Sequence, residues 1–198
     1  MFEKSIIFFC LAGLTGAGKT TLSEAVSRLG SIENIQKITT RPQRESDFAE
    51  EYKFINLETY NKLREQGYFV LQTEFYGHYY AIDKRSIGNK CENMRFITPW
   101  AFGNNNECAP FVKCLGVWLE VSQEERAARM LKRGDSPALI TQRLKMEASS
   151  DFQSKYVIQQ RQQCHRSINA QIPFQEAVNQ VRQIVLDTRP GFFSASEQ

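Results

Sequence analysis

Eight consecutive residues, Gly13, Leu14, Thr15, Gly16, Ala17, Gly18, Lys19 and Thr20, fit the pattern GxxxxGK[ST]. Glycines let the backbone turn its N–H groups inward around phosphate oxygens, and a helix opening there adds the positive end of its dipole. The Lys19 ammonium brings a full charge, and the Thr20 hydroxyl is an oxygen ligand for Mg²⁺, with Thr21 next in the first helical turn. At average usage, a match of this kind arises by chance in such a chain about 1% of the time. A glycine-rich turn that binds nothing has no need of the lysine. The chemistry indicated is the holding of a phosphate chain.

Those residues work only where a strand, a loop and a helix follow one another, and the flanks supply that order. Upstream runs an apolar stretch, Ile6, Ile7, Phe8, Phe9, Cys10, Leu11 and Ala12, of the kind that forms a buried parallel strand. It is too short to span a bilayer, and the motif behind it displaces the signal-peptide reading that Lys4 and this run would otherwise allow. Downstream, Leu22, Ala25, Val26 and Leu29 fall at helical spacing, and Gly30 supplies a stop.

Further along, 37–40 reads as a short strand and 41–49 as a polar segment. Asn56 caps a helix over 57–65 that Gly67 closes, and the aromatic stretch 69–82 reads as a strand pair turning near Gly77. Strands follow at 95–98 and 113–121, with a polar loop of Asn104, Asn105 and Asn106 between them. Ser122 with Glu125 is a capping box opening a helix through Arg126, Arg129 and Lys132, which Gly134 breaks. Ser136 and Pro137 start another helix through Ile140 and Leu144. Phe174, Ala177, Val178, Val181, Ile184 and Val185 form the apolar stripe of a last helix. The alternation predicts an α/β fold: a P-loop parallel sheet flanked by helices, its site beyond the strands' carboxyl ends. One domain is expected, with a core of 1–40 and 85–190, a small inserted β-rich subdomain at 41–84 for a second substrate, and a loose tail at 188–198.

Composition bounds the partners. The chain of 198 residues is 41% hydrophobic and 24% charged, which excludes wholesale disorder. Its net charge of +3 rests on 25 basic and 22 acidic residues, too balanced for a dense nucleic-acid footprint. Five cysteines without a CxxC pair speak against a disulfide framework or a zinc site and for a reducing, cytoplasmic setting. No nucleic acid or membrane partner is expected, and monomer and homodimer stay open.

Taken in order, GLTGAGKTTL, ITTRPQR at 38–44, Tyr52 after an acidic spacer, GHYY ending at Tyr80, and RG at Arg133 leading to RL at Arg143 resemble the guanylate kinase family over nearly the whole chain. The resemblance implies an ATP- and Mg²⁺-dependent kinase acting on a small molecule that already carries a phosphate. It implies that Arg41, Arg44, Tyr52 and Tyr80 grip the acceptor's phosphate, that Arg133 and Arg143 belong to a helical lid near 133–143 over the ATP phosphates, and that Asn169 approaches the adenine. Lys19, Arg41, Arg133 and Arg143 would then be the catalytic cations. A phosphoryl group in flight spreads charge over its oxygens, so fixed guanidinium forks around it do most of the work. An acceptor phosphate is already ionised and needs no general base.

The departures concern base reading. Leu71 stands where the family carries a guanine-reading glutamate, with Glu74 three residues off, and Phe96, Ile97, Thr98, Pro99 and Trp100 lack the acid that the family places at that strand end. Ala81 and Ile82 replace a glycine and a hydroxyl residue, and Lys37 replaces a serine. Ribose 1,5-bisphosphate kinases, similar in frame and also without acidic guanine readers, imply a second acceptor. Two readings therefore stay open, a nucleoside monophosphate such as GMP or dGMP and ribose 1,5-bisphosphate going to phosphoribosyl diphosphate; a catalytically idle binding module is a third. Arg126, Arg129 and Lys132 read as a solvated helix face, Phe69, Phe75, Tyr76 and Tyr79 as core, His78 as a solvated turn residue, Trp100 and Trp118 as packing, and Cys164 with His165 as a packed helical pair.

Overall fold

Seven residues without a polar position, Ile6–Ala12, make β1, and burial on both faces explains the composition. The computed structural model describes residues 6–29, 32–43, 51–75, 77–87 and 95–188. Gly30, Arg44, Tyr76 and the tail 189–198 lie outside the described residues. After β1 the chain forms α1 (Lys19–Ser27), β2 (Glu33–Asn34), β3 (Lys37–Thr39), β4 (Tyr52–Phe54), α2 (Leu57–Glu65), β5 (Phe69–Phe75), β6 (His78–Asp83), α3 (Lys84–Ile87) and β7 (Arg95–Pro99). It continues through β8 (Asn104–Cys108), β9 (Val112–Glu120), α4 (Gln123–Lys132), α5 (Pro137–Ala148), α6 (Ser150–Phe152), a π-helical turn (Gln153–Ile158), α7 (Gln159–Gln162), β10 (Cys164–Asn169) and α8 (Phe174–Asp187).

Among the described residues the strands make two sheets. The first, in the order β10-β9-β1-β7-β2, is parallel throughout. Its register sets Leu11 opposite Pro99 and Ala12 opposite Trp118, so β7 and β9 end level with the phosphate loop. Alternate residues of β1 serve different layers. Phe9 and Leu11 pack with Leu22 and Val26 of α1 and Val178, Val181 and Val185 of α8. Phe8, Cys10 and Ala12 pack with Phe96, Trp118, Val70, Leu71, Ile82, Phe152 and Val157. The cluster on that second face is shared with the other sheet, which seats the two sheets against each other.

The second sheet runs β4-β3-β6-β5-β8, antiparallel except between β3 and β4. It is wider than the 41–84 insert expected from the sequence, because β3 and β8 join it. The asparagine-rich 104–106 segment is a strand rather than a loop: β5 offers it an edge, with Gln72 opposite Glu107, and pairing overrides the poor strand propensity of asparagine. Gly103 permits the approach, since a Cβ there would sit 1.9 Å from the Glu74 carbonyl oxygen. Cys164 and His165 likewise open a strand, β10, and not a helix. It is a parallel edge on β9 with little apolar alternation to announce it.

The caps fall where the side chains required them. Asn56 accepts the Thr59 N–H at 2.8 Å, Ser122 that of Glu125 at 3.3 Å, and Ser136 that of Leu139 at 3.3 Å. Leu71 is wholly buried, in one cluster with Ile82 and Val70. Leu71→Glu is expected to bury a carboxylate without a partner and to lower unfolding stability by about 3 kcal/mol or more. Urea denaturation checks this, and a midpoint near wild type would refute the burial.

Candidate active site

Gly16 and Gly18, with φ of 81° and 91°, take left-handed conformations that bend the loop over the start of α1. A Cβ at Gly16 would also meet the Arg126 carbonyl oxygen at 2.8 Å. Lys19 curls into the bend, its Nζ donating to the Gly13 carbonyl at 2.8 Å and the Leu14 carbonyl at 3.0 Å. Burial lowers its pKa from the ordinary lysine value to about 8. No side chain caps α1, so its positive end faces the loop.

The loop is clamped from outside by residues whose roles the sequence hid. Thr15 donates its N–H to Glu147 Oε1 at 3.0 Å and accepts from Arg126 Nη1 at 3.1 Å, while Arg126 and Glu147 form a buried ion pair. Arg129 donates to the Ala17 carbonyl at 3.2 Å and to the Ala170 carbonyl at 2.6 Å. These two arginines are therefore not a solvated face. The available signal was that Arg126 shares a helix face with Met130, four residues on, and both are buried.

A cavity of about 480 Å³ opens against the loop at Gly13, Leu14, Thr15 and Lys19. Its opposite wall is the second sheet, with Lys37, Arg41, Tyr52 and Tyr80, and Pro99 and Trp100 close it at the end of β7. Arg143 and Glu147 enter from α5. Arg41 is buried with its guanidinium 4.7 Å from the Tyr52 ring centre and 5.3 Å from that of Phe54. Burial also drives the Tyr52 phenol pKa upward, so it stays a neutral donor. The cavity thus unites Lys19, Arg41, Tyr52, Tyr80 and Arg143. It adds Phe75, His78, Phe152 and Gln160, which the sequence reading passed over as core, solvent or nothing. Gln160 is only 3% exposed.

Glu74 is not on this wall. It alternates along β5 with Phe75, and Phe75 takes the cavity-facing position. A second cavity of about 600 Å³ lies on the other side of the loop, against Gly16, Gly18, Thr21, Arg129, Gln171 and the exposed Phe174. Arg133 borders this one, so the two arginines read as a lid occupy different cavities. Asp135 joins them, accepting from Arg133 at 2.5 Å and Arg143 at 2.7 Å. The Arg133 hydrogen bond is the largest cause holding the Asp135 carboxyl below its usual range. Asn169 ends β10 and accepts the Gln171 N–H at 2.9 Å; its neighbours Ala170 and Gln171, not Asn169 itself, face the second cavity.

Thr20 Oγ1 donates to Glu51 Oε1 at 3.3 Å. A hydroxyl and a carboxylate are hard oxygen donors of the kind Mg²⁺ takes, with water and phosphate completing its shell. The described residues hold no cluster of three or more His, Cys, Asp or Glu side chains that would suit a softer ion. Among them, no helix is long and apolar enough to cross a membrane.

A family described as an AAA domain matches residues 10–150. The guanylate kinase of Aromatoleum aromaticum is 34% identical over 137 residues, which is 66% of this chain and 67% of that relative. The guanylate kinase of Nostoc sp. is 28% identical over 158 residues, covering 74% and 79%. Shorter matches reach only 37% of another relative's length. The crystal structure of guanylate kinase from Anaplasma phagocytophilum shares the fold, with a TM-score of 0.55 at 14% identity over 94% of this chain and 87% of that one.

Glu147→Ala would strand the Arg126 charge in the interior and release Thr15. We expect it to cost about 3–5 kcal/mol of unfolding stability, against at most about 1 kcal/mol for Arg133→Ala at the surface. Paired urea titrations check the contrast, and equal midpoints would contradict the clamp.

Proposed function

This chain belongs to the guanylate kinase-like family of P-loop kinases, and from that membership we propose that it transfers the γ-phosphoryl group of ATP to a nucleoside monophosphate, with GMP and dGMP as the first candidates. The observation that carries the reading is the single cavity in which Lys19 faces Arg41, Tyr52 and Tyr80. Cations on one wall suit a donor's terminal phosphates, and an arginine with two phenols on the other suits the acceptor's phosphate. The second cavity, across the loop, suits the donor's base. The second sheet is then the acceptor side and 133–143 the lid. Arg143 lines the cavity taken as the acceptor's, and Asp135 links it to Arg133.

In this reading Thr20 ligates Mg²⁺, which neutralises charge on the donor's phosphates when bound. Lys19 and Arg143 stabilise the equatorial oxygens of the group in transit, and Arg41 orients the attacking phosphate oxygen. The acceptor oxygen is already anionic, so no residue has to remove a proton. Aromatic walls at Phe75, His78, Trp100 and Phe152 favour a planar base over a bare sugar bisphosphate.

A coupled ADP-release screen of GMP, dGMP, AMP, UMP and ribose 1,5-bisphosphate should show turnover with a nucleoside monophosphate; activity with the sugar bisphosphate alone would overturn the acceptor class. Lys19→Ala and Arg41→Ala should each reduce kcat by ~10² or more with the melting temperature preserved. The free enzyme holds Lys19 with a pKa of about 8, and the ammonium is the form that binds phosphate. kcat/KM for ATP should therefore fall as pH rises above about 8, while kcat, set by the phosphate-bound lysine, holds to higher pH. A kcat/KM profile flat to pH 10 would rule out this role for the Lys19 charge.

A further inference from the structure

In P-loop phosphotransferases the loop hydroxyl shares its cation with an acidic residue on a neighbouring strand. Here β1 has two such neighbours: β7, with Leu11 opposite Pro99, has no acid over 95–100, and β9 ends on Glu120, which is taken by Arg161 and Ser167. The carboxylate beside Thr20 comes from the other sheet. Glu51 directly precedes β4, where its backbone carbonyl accepts the Lys37 N–H at 3.0 Å. Its Oε1 lies 3.3 Å from Thr20 Oγ1 and 3.0 Å from Lys37 Nζ. Lys37 Nζ also donates to the Pro99 carbonyl at 3.1 Å and sits 4.3 Å from the Tyr52 ring centre. One buried ammonium thus ties the acid-free end of β7 to a carboxylate aimed at the loop hydroxyl.

We propose that Glu51 is the carboxylate partner of the divalent cation at Thr20, replacing the acid that β7 lacks, and that Lys37 is the residue that positions it. The inference rests on the function proposed above. A hydroxyl that donates to Glu51 keeps its lone pairs for a cation. The other carboxylate beside the loop, Glu147, holds Arg126 and the Thr15 N–H, whereas Glu51 is the one that the Thr20 hydroxyl meets. The Glu51 side chain is 15% exposed, whereas that of Lys37, at 2%, is buried.

The test is Mn²⁺ binding to the ADP complex, followed by electron paramagnetic resonance, with metal-free ADP affinity measured separately by calorimetry. Glu51→Gln should raise the Mn²⁺ dissociation constant by about tenfold or more and leave metal-free ADP affinity within about twofold. Glu51→Asp, checked for native circular dichroism, should weaken Mn²⁺ by an intermediate factor and serves if the glutamine variant does not fold. Lys37→Arg should keep most of the Mn²⁺ affinity that Lys37→Met loses. Wild-type Mn²⁺ affinity in folded Glu51 variants overturns this assignment alone. Failure of the unmodified protein to bind Mn²⁺ with ADP overturns the proposed function, and this inference with it.

Discussion

The organising constraint is the confinement of several positive charges in a small, largely dry space before any phosphate is present. Removing an ammonium or guanidinium from water costs several kcal/mol unless other groups replace the hydration. The site meets that cost charge by charge. Lys19 takes the carbonyls of Gly13 and Leu14, Lys37 takes Glu51, Arg126 takes Glu147, and Arg143 with Arg133 takes Asp135. Arg41 lies against two aromatic rings. An arriving phosphate chain meets cations already placed, and the work of orienting them has been done by folding.

That arrangement explains why two sheets are needed. The parallel sheet supplies the loop and the level ends of β7 and β9, but β7 ends without a charge and the carboxylate that ends β9, Glu120, is paired with Arg161. Lys37 and Arg41 hang from β3 and the segment after it, and the counter-charge comes from Glu51, the residue before β4. The cluster joining Phe8, Phe96 and Trp118 to Val70, Leu71 and Ile82 holds these two sources in register. Core packing and site geometry are therefore one problem in this fold, since a shift of the second sheet would move Arg41, Lys37 and Glu51 together relative to Lys19.

Local signals carried much of this in the sequence. The glycines of the loop, the Asn56, Ser122 and Ser136 caps and the uninterrupted apolar β1 each act through neighbours within a few residues. What stayed hidden depends on distant partners. The strand at 104–108 exists because β5 offers it an edge, and the strand at 164–169 because β9 does. Arg126 looks like a surface residue until Thr15 and Glu147, over a hundred and about twenty residues away, close around it. The choice between Glu74 and Phe75 is a matter of strand parity, which a bulge-prone pair such as β5 and β6 does not reveal in one dimension.

Leu71 shares the face of β5 that carries Phe75, opposite Ile82 of β6, but it is wholly buried in the cluster between the two sheets and does not line the cavity. The cavity's capacity to discriminate bases must come from groups that do face it: the Gln160 amide, His78 and the aromatic walls. A neutral hydrogen bond contributes about 0.5–1.5 kcal/mol and one to a charged group about 1.5–3 kcal/mol. Discrimination built from an amide and stacking is accordingly shallower than discrimination built from a carboxylate. On the proposed function, a grip of Arg41, Tyr52 and Tyr80 on a doubly charged phosphate is the steeper term. A site of that kind selects first for a phosphate at the right distance from a planar ring and only second for which base that ring is.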